Sequence, residues 1–443
     1  MTTTAFRPRR AVLLGMALAP AMLRPAVLRA ATHDVPVELG TPVTVASSRL
    51  DALAATWHAT FNAGEVLRRF DPATQGARGD VRLFRLVTTV VVPETAEPVK
   101  VSGLLALPAG ATGRVPVVSW QHGTIFGTKS VPSNLTRIAD PAFVMQDGTD
   151  SAETLFMLQR LVANGFAVIG ADYLGKGPIA GGRPEAYLVR EASVATCRAV
   201  LDAGLAAMDG LGLEAGPLFL HGWSQGGLNT QWLAQALERD GRPIRAAAAA
   251  SPFNDLNETM RWWAGDLAYP APDGAAYPAV PAWASLAILL VLGSYQSWYG
   301  MDGLIEAAVR PDYHDIARGF WPSETTNFDT TRHFPTPAEL LTEDFFHRHT
   351  AEVVSSFLRR MAANRATYDT HATPLRLFHG LADEALHPAL VRQALASGGA
   401  QVDGAAVPRA SHRITFLASV YGSAAETGGK PDVLTWFRDR LAG

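Results

Sequence analysis

The chain has 443 residues, of which 48% are hydrophobic and 18% are charged. This composition predicts a large buried core and excludes an intrinsically disordered chain, because such chains are poor in apolar residues and rich in charge. The net charge is −3 and no basic run follows the N-terminus, so the sequence does not predict nucleic-acid binding. The single cysteine, Cys197, excludes an intramolecular disulfide and a cysteine-ligated zinc cluster.

Residues 1–31 predict a cleavable signal peptide. Arginines, including Arg9 and Arg10, precede an apolar stretch over 11–23, and a small-residue cleavage pattern ends at Ala30. The apolar stretch is too short to span a bilayer. We therefore expect a secreted or periplasmic protein, and the paired arginines are compatible with twin-arginine export. The alternative is a cytosolic protein with an arginine-rich N-terminal tail.

Two runs near the start of the predicted mature chain, 82–92 and 99–107, predict an antiparallel hairpin. Beyond them, short apolar runs alternate with helix-like stretches, which is typical of βαβ units in a mostly parallel sheet. The predicted strands are 115–120, 166–171, 218–221, 244–250, 374–378 and 401–407, and the predicted helices are 152–164, 185–208, 227–239 and 388–396. Because these strands are continuously apolar, we expect helices on both faces of the sheet.

Residues 253–370 interrupt this alternation and are rich in tryptophan and turns. We interpret them as an inserted, mainly helical cap or lid between two parts of the core, 32–252 and 371–443. Within the cap, residues 278–300 carry no formal charge, but their prolines and polar residues argue against a membrane span. We expect a cap helix at 282–292, whose apolar face either packs on the core or lines an acyl pocket.

The main chemical signal is the pattern Gly222-Trp223-Ser224-Gln225-Gly226. It directly follows a predicted strand and directly precedes a predicted helix, which is the setting that a Gly-x-Ser-x-Gly nucleophile requires. A sharp turn there exposes the serine hydroxyl at the edge of the sheet and aims the first amides of the helix at a developing oxyanion. The pattern predicts that Ser224 is a nucleophile; the alternative is a plain turn serine.

A serine nucleophile needs a base, and the base needs an acid that orients it. Asp383 and His412 each follow a predicted strand, and they occur in the order serine, acid, histidine that this sheet architecture uses. We predict Asp383 as the acid, with Asp255 as the second candidate. We predict His412 as the base, while His387 is a candidate only for the edge of the site.

Two hydrogen-bond donors are also needed for the oxyanion. The amide of Gln225, the residue after the predicted nucleophile, is one candidate. The amide or hydroxyl of Thr124, in the loop after strand 115–120, is the other. No metal or cofactor is predicted. Residues 175–180 (GKGPIA) match a dinucleotide-binding pattern, but the prolines around them leave no helix to hold a pyrophosphate, so nucleotide binding is not predicted.

At these residues the chain resembles the α/β-hydrolase superfamily over residues 80–252 and 371–443. The segments VVSWQHGT, GFAVIGADYLGKG and GWSQGG look like the secretory-lipase branch, the yeast lipase A type, and somewhat like secreted prolyl-oligopeptidase-type hydrolases. The position of the insertion is similar to that of the cap in that lipase group. The resemblance implies ester hydrolysis through Ser224, Asp383 and His412.

The sequence therefore predicts an exported serine carboxylesterase or lipase that acts on a small-molecule or lipid ester and forms an acyl-enzyme. A secreted serine peptidase or amidase on the same three residues is the first alternative, because the chemistry is shared. A non-catalytic hydrolase-like binding protein is the second. The sequence gives no indication of the oligomeric state.

Overall fold

The computed structural model describes residues 37–272, 274, 276–320, 334–348 and 351–442. They lie within one compact unit, Val35–Gly443. The predicted signal peptide, residues 1–31, lies outside the described residues.

A single sheet runs through the molecule. Its strands are β1 (Val37–Leu39), β2 (Val43–Val45), β3 (Val81–Val91), β4 (Pro98–Pro108), β5 (Arg114–Gln121), β6 (Ala167–Ala171), β7 (Glu214–Trp223), β8 (Ala246–Ala250), β9 (Leu375–Gly380) and β10 (Val402–Val407). Their spatial order is β1-β3-β4-β6-β5-β7-β8-β9-β10, and β2 also pairs with β3. Strands β5 to β10 are parallel to one another, and strands β1 to β4 form the antiparallel end of the sheet.

Helices connect and cover the strands. They are α1 (Ser47–Phe61), α2 (Pro72–Gln75), α3 (Ala152–Arg160), α4 (Arg190–Gly210), α5 (Gln225–Arg239), α6 (Leu256–Trp263), α7 (Ala284–Trp298), α8 (Leu304–Ala308), α9 (His314–Phe320), α10 (Pro337–Leu340), α11 (Glu352–Asn364), α12 (Ala389–Ser397), α13 (His412–Tyr421) and α14 (Val433–Ala442). Short 3₁₀ helices cover Pro132–Ala139, Val162–Asn164, Pro311–Tyr313 and Phe345–His347. The predicted cap segment, 253–370, contains α6 to α11 among its described residues.

The core lies on both faces of the sheet, because neighbouring strand residues point to opposite sides. Leu220 of β7 belongs to the hydrophobic cluster that includes α4, α5 and α7. Its neighbour Phe219 belongs to the cluster that includes α1, α3, α13 and α14. The mostly parallel sheet with helices on both faces is confirmed, and so is the predicted hairpin, which is β3 paired with β4.

Some elements differ from the sequence-based expectation. Residues 37–45 form two edge strands that the sequence did not reveal, since strands of three residues show too little alternation. Helix α4 begins at Arg190 instead of residue 185, because residues 185–189 form an irregular segment that is hydrogen-bonded to Ser294 of α7. Helix α7 continues to Trp298, beyond the predicted end at residue 292. The hydroxyl of Ser294 donates to the Glu185 carbonyl, so this polar residue packs inside without ending the helix.

Among the described helices, none has both the length and the apolar character needed to cross a membrane. The uncharged helix α7 has 15 residues and lies in the same hydrophobic cluster as α4 and α5.

Candidate active site

Ser224 occupies the sharp turn between β7 and α5. Its backbone has φ 57° and ψ −120°, a strained conformation for a residue with a side chain. The turn is tight because Gly226 packs against the end of the neighbouring strand β5: a Cβ on Gly226 would lie 1.9 Å from the Gln121 carbonyl oxygen. The glycine therefore permits the close approach that presents Ser224, as the sequence pattern predicts.

His412 and Asp383 are in direct contact. His412 begins helix α13, and Asp383 lies in the loop that follows β9. The His412 Nδ1 atom is 3.0 Å from Asp383 Oδ2 and 3.1 Å from Oδ1. The structure thus brings together two residues that are 29 positions apart in the chain, through the two neighbouring parallel strands β9 and β10 that precede them.

The Asp383 carboxylate is held by further donors. The Ser251 hydroxyl donates to Oδ2 at 2.6 Å, and the Ala385 and Leu386 amides donate to Oδ1. The Tyr277 hydroxyl, from the predicted cap, donates to the Asp383 carbonyl at 2.8 Å. These bonds fix the carboxylate in one orientation, which in turn fixes the plane of the His412 ring.

Opposing effects set the pKa of His412. Burial disfavours the charged ring and lowers its pKa, while the negative charges of Asp383 and Glu384 raise it. The carboxylates outweigh burial, so the pKa of His412 is raised above its usual value of 6.5. Glu384 also accepts a hydrogen bond from the His412 amide at 3.0 Å.

Ser224 and His412 line one cavity of about 380 Å³. One part of its wall is apolar and aromatic, and it consists of Phe61, Ile125, Phe126, Trp223 and Trp283. Another part carries the carboxylates Asp147, Asp150, Glu153 and Glu384 together with Arg413. Among the described residues of the predicted cap, Trp283 is the one that lines the cavity.

The two predicted oxyanion donors are placed near Ser224. Gln225 is the first residue of α5, and Thr124 lines the cavity. Among the described residues, no group accepts a hydrogen bond from the backbone amide of Gln225 or of Thr124. The Thr124 hydroxyl, by contrast, is bonded to the Tyr187 hydroxyl at 2.8 Å. The amide of Thr124 is therefore the better candidate than its hydroxyl.

Glu153 is a buried carboxyl in the cavity wall, at the start of α3. Its Oε1 atom accepts a hydrogen bond from the Gly123 amide at 3.0 Å, so this amide is already satisfied. Burial raises the pKa of Glu153 to about 7, although the Gly123 amide and Arg413 favour its ionised form. Glu153 thereby holds the loop that leads to Thr124.

The structure separates the alternative candidates from the site. Asp255 caps helix α6 by accepting from the Glu258 amide at 3.0 Å. His387 stacks on Tyr269 and accepts from the Ala389 amide through Nδ1. Burial lowers the pKa of His387 to about 4, and the ring is not among the residues that line the cavity.

Most of the cavity lining was not found from the sequence, including the polar residues Glu153, Glu384 and Arg413 and the aromatic residue Trp283. Glu384 is adjacent to the predicted acid, which was a usable signal. Glu153 lies in a helix far from every motif, and nothing in its local sequence distinguishes it from a surface carboxylate.

No protein-family model matches the chain, and no curated protein matches it by sequence. Several solved structures have a fold similar to that of this chain. The rice cell wall degrading esterase LipA from Xanthomonas oryzae is 18% identical with a TM-score of 0.68, over 86% of this chain and 95% of that one. Candida antarctica lipase A in its closed state is 15% identical with a TM-score of 0.59, over 80% of each chain.

At these identities the likeness concerns the fold. It agrees with the mostly parallel sheet and with the resemblance stated from the sequence motifs. This chain therefore has the α/β-hydrolase fold that esterase LipA and lipase A share.

Proposed function

We propose that this protein is a serine hydrolase of carboxylic esters, a carboxylesterase or lipase, acting through Ser224, His412 and Asp383. One observation carries the proposal: His412, which is bonded to Asp383, lines the same cavity as a serine held in a strained strand-to-helix turn. The similar structures are an esterase and a lipase, which supports an ester over an amide substrate.

In the proposed reaction, Ser224 Oγ attacks the ester carbonyl carbon while His412 accepts the hydroxyl proton. Asp383 holds Nδ1, so Nε2 is the nitrogen that takes this proton. The negative charge that develops on the carbonyl oxygen is stabilised by the amides of Gln225 and Thr124. The protonated His412 then gives its proton to the leaving alcohol, and an acyl-enzyme remains. Water, deprotonated by His412, releases the acid and restores Ser224.

Export belongs to the same proposal. Its support is the N-terminal sequence, in which arginines precede a short apolar stretch and a small-residue cleavage pattern. The protein would then act as a secreted or periplasmic enzyme.

An activity panel tests the proposed reaction. We expect hydrolysis of p-nitrophenyl esters and little or no hydrolysis of aminoacyl p-nitroanilides, both followed by the release of the chromophore. The aromatic cavity wall should make kcat/KM rise from acetyl to longer acyl chains, by up to roughly fourfold per methylene, until the cavity is filled. Preference for the anilides would favour the peptidase alternative, and no turnover of either class would favour a binding protein.

We propose Trp283, and not the apolar face of helix α7, as the part of the predicted cap that sets the acyl-chain preference. Leu289 and Leu290 of α7 are buried but do not line the cavity, so trimming them tests packing and not acyl specificity. Trp283 is the cap residue whose substitution should alter the chain-length profile.

The pH dependence follows from the raised pKa of His412. Only the neutral ring accepts a proton, so we expect kcat/KM to fall as the pH decreases through a pKa above 6.5. Glu384→Gln removes one of the charges that raise this pKa, and its amide oxygen still accepts from the His412 amide. We expect the acid limb of the pH–rate profile to move to lower pH by roughly half a unit.

Asp150→Asn is the control for this shift, because Asp150 lies in the same cavity wall but is paired with Arg137. Its acid limb should stay where the wild-type limb lies. An unchanged limb in Glu384→Gln would show that the Glu384 charge does not act on His412.

Asp383→Asn is expected to reduce kcat by about 10³ to 10⁴, because an amide donates to His412 Nδ1 and stabilises the wrong tautomer. Steady-state kinetics on one p-nitrophenyl ester measure the loss. Asp255→Asn is the matched control: asparagine caps a helix about as well as aspartate, so α6 keeps its cap and kcat should stay nearly unchanged. A mild effect of Asp383→Asn with a severe effect of Asp255→Asn would move the acid to Asp255.

A further inference from the structure

The GKG sequence at residues 175–177, which resembles a nucleotide-binding pattern, has a different structural basis. The loop lacks a following helix, since α4 begins only at Arg190. Gly175 has φ +82°, and a Cβ there would lie 2.4 Å from the Pro184 carbonyl oxygen. A Cβ on Gly177 would lie 2.6 Å from the carboxylate of Asp172. Both glycines allow close packing inside the protein, and the lysine between them points inward.

Lys176 forms a buried ion pair with Glu185. The Lys176 Nζ atom is 3.1 Å from Glu185 Oε2, and the two side chains are 5% and 2% exposed. Burying two charges is costly, and such a pair is weak evidence for a role in stability alone. The contacts around the pair indicate what else it does.

Each member of the pair contacts one side of the candidate oxyanion hole. Lys176 Nζ donates to the carbonyl of Ile125, the residue after Thr124, at 3.3 Å. Glu185 Oε1 accepts from the side-chain amide of Gln225 at 3.0 Å. Thr124 lies in the loop after β5 and Gln225 begins helix α5. The ion pair therefore connects the residue after Thr124 with the side chain of Gln225.

Residues 185–187, which include Glu185 of the ion pair, are hydrogen-bonded to helix α7 of the predicted cap. The Glu185 carbonyl accepts from the Ser294 hydroxyl at 3.0 Å and from Trp298 Nε1 at 3.1 Å. The Tyr187 amide donates to Ser294 Oγ at 2.9 Å, while the Tyr187 hydroxyl bonds to Thr124. Helix α7 is thus hydrogen-bonded to residues 185–187. These residues are in turn hydrogen-bonded to Thr124 and Gln225 of the candidate hole.

We propose that the Lys176–Glu185 pair positions the oxyanion hole by holding the Thr124 loop and the first turn of α5 at the spacing that the tetrahedral intermediate requires. This inference rests on the proposed ester hydrolysis. Neither side chain lines the cavity, so the pair acts through Ile125 and Gln225. Removing the lysine frees the Ile125 carbonyl, and removing either charge leaves the other charge buried and unpaired next to the hole. Displacements of about 1 Å at such a site reduce the rate by about 100-fold.

The test compares transition-state binding with ground-state binding in Lys176→Met and Glu185→Gln. Kinetics on p-nitrophenyl acetate give kcat and KM, and an aryl trifluoromethyl ketone, which forms a tetrahedral adduct with the serine, gives Ki. We expect kcat to fall 10- to 100-fold with KM changed less than threefold. Ki should rise by the same factor as kcat falls, because both depend on the oxyanion hole.

Asp432→Asn is the matched control. Asp432 forms a buried ion pair with Arg160 at 3.1 Å, on residues that do not line the cavity. It should lower the melting temperature and leave kcat and Ki unchanged. If either ion-pair variant does not fold, Gln225→Met replaces it, since this variant keeps the backbone amide and loses only the bond to Glu185. It should show the same parallel change in kcat and Ki.

The outcomes separate the hypotheses. If Lys176→Met and Glu185→Gln lower the melting temperature but leave kcat and Ki at wild-type values, the pair is structural and the inference is wrong. If KM rises while Ki for the ketone is unchanged, the pair affects substrate access and the inference is also wrong. If the wild-type protein neither hydrolyses esters nor binds the ketone, the proposed function itself fails, and the positioning role fails with it.

Discussion

Ser224→Ala is expected to lower kcat for ester hydrolysis by on the order of 10⁶ while the protein stays folded. The methyl group cannot attack the carbonyl carbon, so no acyl-enzyme forms. Only the oxyanion amides and substrate binding remain to accelerate hydrolysis by water. The substitution removes only the hydroxyl group. The neighbouring residues that hold the strained backbone of the turn are unchanged, so the fold should be kept.

Active-site labelling checks this result independently of turnover. A fluorophosphonate probe should label the wild-type protein at Ser224, as located by peptide mass spectrometry, and should not label Ser224→Ala. Ser130→Ala is the matched control, because Ser130 lines the same cavity but its hydroxyl donates to the Gly148 carbonyl. Labelling of Ser130→Ala should continue. Retention of a tenth of the wild-type activity in Ser224→Ala would refute Ser224 as the nucleophile.

Local sequence carried most of the information about Ser224. A buried strand, a Gly-x-Ser-x-Gly turn and a helix are contiguous in the chain, and each constrains the next. The ends of parallel strands also meet at one edge of a sheet, so Asp383 and His412 could be placed near each other from strand positions alone. The His412–Asp383 distance of 3.0 Å is what that topology allows.

The remaining cavity wall could not be predicted in the same way. Glu153 reaches the site because α3 packs so that its first turn meets the loop after β5, a contact between segments 30 residues apart. Trp283 comes from the predicted cap segment, whose sequence has no period that fixes its position on the core. Contacts of this kind depend on how elements pack, and a single sequence does not encode packing partners in any local pattern.

Around Lys176 the sequence pattern was visible, but the structural role of the lysine could not be predicted from it. The sequence argued against nucleotide binding because no helix was expected after the glycines of this pattern, and the next helix, α4, begins only at Arg190. The ion pair with Glu185 was not predictable, because it depends on a turn that brings the chain back over nine residues. The position of that turn is set by Gly175 against the Pro184 carbonyl.

His412→Ala should reduce kcat by on the order of 10⁶, nearly as much as Ser224→Ala. The two losses are similar because the serine and the histidine act as one unit, so removing either one abolishes the action of the other. Without the ring, no group takes the Ser224 proton during attack, and no group gives a proton to the leaving alcohol. The Asp383 carboxylate cannot replace the ring, since it is held by Ser251 and by two backbone amides. Fluorophosphonate labelling of Ser224 should be lost as well, because the probe requires an activated hydroxyl.

His387→Ala is the matched control for this experiment. His387 is only 1% exposed and lies four residues after Asp383, but its ring packs on Tyr269 and Tyr277 outside the cavity lining. Its removal opens a void in an aromatic cluster, so we expect a lower melting temperature, while kcat of the folded protein stays within a few-fold of wild type. The reverse result, with His412→Ala active and His387→Ala inactive, would assign the base to His387. It would also require the loop after Asp383 to rearrange, because His387 Nδ1 accepts from the Ala389 amide and its pKa, lowered to about 4 by burial, makes the ring a weak base.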